Sequence, residues 1–144
     1  NLGVMSLVFM VFALPSGWLA NKFGRKRVMS FGLVFLLLAV TGIMFTRNAL
    51  WLNLLFALAG IGWAMININS LPTVVDMGSL AEVGTFTGLY YFSSQAASIV
   101  SPPLIGFISD LAKTKYVMFP YALIFFLLSL MCLANVKKGD IVTK

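Results

Sequence analysis

The chain has no histidine, one cysteine and four acidic residues, and charged side chains of either sign occupy only 10% of its 144 positions. Without histidine or converging carboxylates, and with no base beside any serine, nothing is present to activate a nucleophile or hold a catalytic metal. The composition therefore argues against an enzyme, and no cofactor is expected. The lone cysteine, Cys132, excludes an internal disulfide and, lying within an apolar run, reads as a packing residue. No Asp, Glu, Lys or Arg falls well inside an apolar run, so this stretch supplies no intramembrane proton or cation site. A coupling carboxylate, if one is used, is expected on sequence beyond this chain.

What the chain does have is apolar length. It is 60% hydrophobic with a mean hydropathy of +0.99, which suits a bilayer better than water. A hydrocarbon core of roughly 30 Å takes about 20 apolar helical residues. The backbone must also satisfy its own hydrogen bonds there, which favours helices. Five spans can be read, at about 2–20, 28–46, 50–71, 84–108 and 116–136. The expected fold class is an all-α membrane protein with five transmembrane helices. Asn1 opens the chain and Met5 already lies in an apolar run, so a piece of a longer protein is expected. A cleavable signal peptide fits poorly, because positive charge follows the first run instead of preceding it.

Proline sets further expectations. Pro15 predicts a kink or early end to the first span, Pro72 a stop to the third, and Pro102 and Pro103 a broken or bent fourth. The second span, almost free of polar residues, is expected to face lipid over much of its surface.

The basic residues give direction. Lys22, Arg25, Lys26 and Arg27 crowd the stretch GWLANKFGRKR between the first two spans, and cations beside a span are retained on the cytoplasmic side. With that stretch inside, residues 22, 25, 26, 27, 137, 138 and 144 lie inside and residues 47, 113 and 115 outside. The amino end is then outside and the carboxyl end cytoplasmic. A net charge of +6 spread over span ends forms no continuous basic stripe, so nucleic acid is not an expected partner.

Polarity within the spans is patterned. At about 100° per residue, the third span lines up Phe56, Gly60, Trp63, Asn67 and Ser70, with Leu54, Leu58, Ile61, Met65 and Ile68 opposite; Asn69 fits neither row. The fourth lines up Thr87, Tyr91, Ser94, Gln95, Ser98 and Ser101 against Leu89, Phe92, Ala96, Ile99, Val100 and Pro103. An unpaired amide in hydrocarbon costs several kcal/mol, so Asn67 and Gln95 need partners or water. Polar groups of this kind can glue helices, with Gly84 and Gly88 allowing close approach. They can equally line a wet cavity, where Trp63, Asn67, Ser70, Tyr91, Gln95 and Ser98 would bind a hydroxylated solute.

The stretch from Gly17 to Arg27 resembles the loop signature of the major facilitator superfamily, GxxxD(R/K)xGR(R/K). It matches at Gly17, Lys22, Gly24, Arg25 and Lys26, and departs at Asn21, where the family has Asp. In that family the signature follows the second helix strongly and the eighth in degenerate form, so Asn21 favours the later copy. The segments GIGWAMININSLP and GTFTGLYYFSSQAASIVSPPLIGFISD look like the tenth and eleventh helices of the sugar and cation symporter branches, including sucrose-transporter-like members. The resemblance implies helices eight to twelve of a twelve-helix fold, with spans two and five peripheral and spans three and four facing the cavity. It also implies a gating loop of Gly17, Asn21, Gly24 and Arg25, with Asp76 as the first acidic partner for Arg25 and Glu82 as the second.

The function this points to is alternating-access transport of a small polar solute, a sugar or glycoside, with cation coupling as an option. The partners would be membrane lipid, the solute and the amino-terminal half of the same transporter. Efflux of drug-like compounds is a second transporter reading, and a non-transporting multispanning scaffold is a reading from another class.

Overall fold

The computed structural model describes residues 2–136, and over them five long helices and two short 3-10 turns follow one another. They are α1 (Leu2–Phe23), α2 (Arg25–Phe45), α3 (Ala49–Val75), α4 (Val83–Leu111) and α5 (Met118–Asn135), with 3-10 turns at Leu80–Glu82 and Lys115–Val117. Among the described residues, four elements are long and apolar enough to cross a membrane: α1, α2, α3, and the 3-10 turn with α5. The 29-residue α4 exceeds them in length, but its Ser, Thr, Tyr and Gln side chains leave it less apolar.

The basic stretch turns out to be helix, not loop. Helix α1 runs to Phe23 and α2 begins at Arg25, so Gly24 alone makes the reversal. Its φ of 90° lies where a side chain is strained, which is why glycine stands there. Arg25, Lys26 and Arg27 consequently form the first turn of α2.

At none of the three sites, Pro15, Pro72 and the Pro102–Pro103 pair, does proline end or break its helix. Helix α1 continues through Pro15, beside which Ser16 is buried against α3, its hydroxyl within donating reach of the carbonyls of Ala13 at 3.2 Å and Ala64 at 3.3 Å. Helix α3 continues past Pro72 to Val75; Thr73 is buried, and its hydroxyl donates to the Asn69 carbonyl at 2.6 Å, holding the last turn. Helix α4 is unbroken across Pro102 and Pro103. The carbonyls freed by that pair belong to Ser98 and Ile99, both exposed, so neither is stranded in a packed interface.

Helix α3 is the spine. One of its faces meets α1 through Gly60 and Ala64, and another meets α2 through Gly62, Met65, Asn69 and Thr73. Two small cores flank it: Ala20, Val28 and Met65 at one level, and Leu36, Ala39 and Ala59 at another, the second covered by Met5 and Phe126. Helix association in lipid depends on close van der Waals fit, which small residues permit. Helix α2 buries one stripe, Val28, Gly32, Leu33, Leu36 and Ala39, mostly against α3, and leaves Phe31, Val34, Leu38 and Phe45 exposed.

Helix α4 is attached differently. None of its residues is buried, and Gly84 and Gly88 face open space instead of a close neighbour. Two hydroxyl pairs hold it: Ser70 with Tyr90 at 2.9 Å, to α3, and Ser101 with Tyr121 at 3.0 Å, to α5. Cys132 is exposed on α5 and is not a packing residue.

Candidate functional site

Two groups of residues carry the chemistry: a charged cluster at one end of the bundle and a polar face along α3 and α4. At the charged end, Arg25 donates to the carboxylate of Asp76, the C-cap of α3, and forms an ion pair with it. Of the two acids open to Arg25, Asp76 is the one bonded; the Glu82 carboxylate accepts from the Ser79 backbone N–H at 2.9 Å and its hydroxyl at 2.8 Å, closing a capping box at the 3-10 turn. The side chains of Arg25 and Asp76 are 31% and 65% exposed. A pair this open to solvent contributes about 0–1 kcal/mol, so it can break and re-form readily.

Lys26, one residue along, reaches α5. Its Nζ donates to the carbonyls of Ala134 at 3.0 Å and Val136 at 2.6 Å. The first turn of α2 thus ties together the ends of α3 and α5. Lys22 sits 5.5 Å from the ring centres of both Trp18 and Phe23, within cation–π range. Asn21 is exposed, and Gly17 lies in ordinary contact with Ile68, 3.9 Å from where a Cβ would stand. Lys137, Lys138 and Lys144, which entered the orientation reading, lie outside the described residues.

The polar face of α3 is narrower than the spacing suggests. Gly60 leaves it for the α1 contact: a Cβ there would stand 2.6 Å from the Met5 carbonyl oxygen. Trp63 is 42% exposed and Asn67 is exposed beside it on the sector between the α1 and α2 contacts. Ser70 shares that sector, but its hydroxyl is engaged with Tyr90 and with the Asn67 carbonyl. That is the gluing role for this residue. On α4, Tyr91, Gln95 and Ser98 are exposed; Tyr91 stands edge-on to Tyr90 with ring centres 5.3 Å apart, and Ser98 bonds back to the Ser94 carbonyl at 3.0 Å. The Ser70–Tyr90 pair thus joins the two sets.

Sequence spacing missed three contacts here. Asn69, in neither row, is 2% exposed and donates to the Met65 carbonyl at 2.8 Å. The run Gly62, Met65, Asn69, Thr73 at steps of three and four was the signal for that α2-facing stripe. Tyr90 and Tyr121, the α4 anchors, carried no spacing signal of their own.

Comparisons with known proteins place the fold. The sequence profile described as Major Facilitator Superfamily matches residues 1–143. An MFS-type transporter of Methanocaldococcus jannaschii is 29% identical over 103 residues, 72% of this chain and 26% of that protein. The MFS-type transporter YvkA of Bacillus subtilis is 29% identical over 137 residues, covering 86% of this chain and 30% of its own length. The MFS-type transporter ppzB of Metarhizium majus is 27% identical over 95 residues, 66% and 21% of the two chains. Among solved structures, the peptide transporter POT in complex with alafosfalin superposes with a TM-score of 0.79 at 20% identity, over 95% of this chain and 28% of that one. The chain thus spans between a fifth and a third of the lengths of these proteins. With apolar helices of membrane-crossing length and a family match along nearly its whole extent, this multi-pass membrane protein belongs to the Major Facilitator Superfamily.

Proposed function

We propose that the chain is the carboxyl-terminal part of a secondary transporter, helices eight to twelve of twelve, that moves a small hydroxylated solute, a sugar or glycoside, by alternating access. One observation carries this reading: Trp63, Asn67, Tyr91 and Gln95 stay exposed on α3 and α4, while the polar side chains buried in the contacts of α3 with α1 and α2, Ser16, Asn69 and Thr73, are each bonded within the bundle. Amides left outside a bundle need water or a facing protein surface, because hydrocarbon gives them no hydrogen bonds. In transporters built from two halves, that surface is the second half and the solute lies between them near the midplane. Amide and hydroxyl groups beside a tryptophan face suit a sugar, which offers hydroxyls at its rim and C–H groups on its flat side.

In this reading Arg25 and Asp76 latch the cytoplasmic end, with Gly17, Asn21 and Gly24 shaping the turn. The latch opens and closes as the halves rock. Asn21 brings no charge, so the latch depends on the single ion pair. Cation coupling, if present, uses a carboxylate on another part of the transporter.

Flux into proteoliposomes tests the substrate class, using a panel of labelled glycosides, dipeptides and hydrophobic dyes. Glycoside uptake that falls at least tenfold in Gln95→Ala supports the proposal. Uptake confined to dyes favours drug efflux, and no flux of any compound by a folded protein favours the scaffold reading.

A further inference from the structure

Beyond the ion pair with Asp76, the first turn of α2 carries positive charge that the transport reading does not use. Lys26 and Arg27 form the rim of an open groove of about 440 Å³ whose wall continues down α2 through Ser30, Phe31 and Val34. The turn holds Arg25, Lys26 and Arg27 and no acidic residue. Asp76 answers Arg25 alone. Lys26 has three N–H donors, of which two reach α5 carbonyls, and Arg27 is exposed with no acceptor among the described residues.

The groove changes chemistry with depth. From Lys26 to Val34 is eight residues, about 12 Å at 1.5 Å per residue, so a rim at headgroup level puts Val34 within a hydrocarbon core roughly 30 Å thick. Phe31 is 59% and Val34 38% exposed, and the Ser30 hydroxyl is turned back to the Lys26 carbonyl at 2.9 Å. The result is cations above and apolar surface below, along one face of one helix. A soluble anion would use only the rim, and a neutral lipid only the wall.

We propose that this groove holds an anionic phospholipid of the leaflet on the α1–α2 side, with its phosphate against Arg27 and the third N–H of Lys26 and an acyl chain along Phe31 and Val34. Since Lys26 also holds the end of α5, the lipid sits beside the junction of α2 and α5 and stabilises it. Basic pockets at the membrane interface take anionic headgroups by the same physics, each nearby cation contributing about fivefold to binding.

Native mass spectrometry of the detergent-solubilised protein tests this, with phosphatidylglycerol and phosphatidylcholine of identical acyl chains as probes. The expected result is tighter retention of phosphatidylglycerol, falling about fivefold in Arg27→Gln and preserved in Arg27→Lys. Phe31→Ala is expected to weaken it too. Arg47→Gln, at the opposite end of α2, is expected to leave it unchanged. Equal retention of the two lipids, an equal loss in Arg47→Gln, displacement of phosphatidylglycerol by millimolar inorganic phosphate, or a protein dimer that excludes the lipid would each overturn the proposal.

Discussion

Gly32 and Gly62 face each other across the α2–α3 contact so closely that a Cβ on Gly32 would stand 2.7 Å from the Gly62 carbonyl oxygen, and one on Gly62 2.6 Å from that of Gly32. The obstructing atoms are backbone, which cannot swing aside. Either substitution to alanine must push the helices apart and loosen the cores at Met65 and Leu36.

Overpacking of this kind costs about 1–3 kcal/mol. Gly32→Ala and Gly62→Ala are therefore expected to lower the Tm of the detergent-solubilised protein by several degrees. Gly88→Ala, which meets open space, is expected to leave it unchanged or raise it slightly through helix propensity.

The Arg25–Asp76 pair predicts a charge-swap result. Arg25→Glu and Asp76→Arg are each expected to reduce transport strongly while shifting stability by less than about 1 kcal/mol. Transport by the double swap returns toward the unmodified level if the pair is a latch. A double variant as inactive as either single one would assign the two residues separate roles.

The α4 anchors predict non-additive losses. Removing an interhelical hydroxyl contact in a membrane bundle costs about 0.6 kcal/mol on average. Ser70→Ala and Tyr90→Phe are expected to destabilise by similar amounts, with the double variant little worse than either, because they share one bond. Hydrogen exchange across α4 should rise in the same variants, since these bonds substitute for the burial α4 lacks.

Orientation is testable at the turns. A cysteine replacing Asn21 is expected to react with an impermeant thiol reagent only after permeabilisation, and one replacing Arg47 in intact cells. The reverse pattern would invert the assignment.

How much of this was legible in the sequence follows from the physics of each part. The approximate positions of α1, α2, α3 and α5 follow from apolar length, and the Arg25–Asp76 pair from placing both residues at the same end. Helix ends were harder, because whether proline's local penalty at Pro15, Pro72 and Pro102 ends a helix depends on the packing around it, which is not a local property. The role of α2 was hidden for a similar reason: a helix apolar all round has no stripe to say which side meets a neighbour, and the answer lay in Gly32 and Gly62. Asn69 was obscured because it falls outside the polar row, on the stripe of Gly62, Met65 and Thr73, and nothing in that spacing names the helix it packs against.

The central claim is that the sector of α3 carrying Trp63 and Asn67 borders water within the membrane. Its most direct test is the reaction rate of a small polar thiol reagent with Asn67→Cys, beside Ile61→Cys, both in a background in which Cys132, the one cysteine of these 144 residues, and any cysteine elsewhere in the transporter are replaced by serine. The account predicts rapid modification at 67, slowed by the transported solute, and little at 61, which packs against the core of Ala20, Val28 and Met65. Modification at 61 with none at 67 would contradict it.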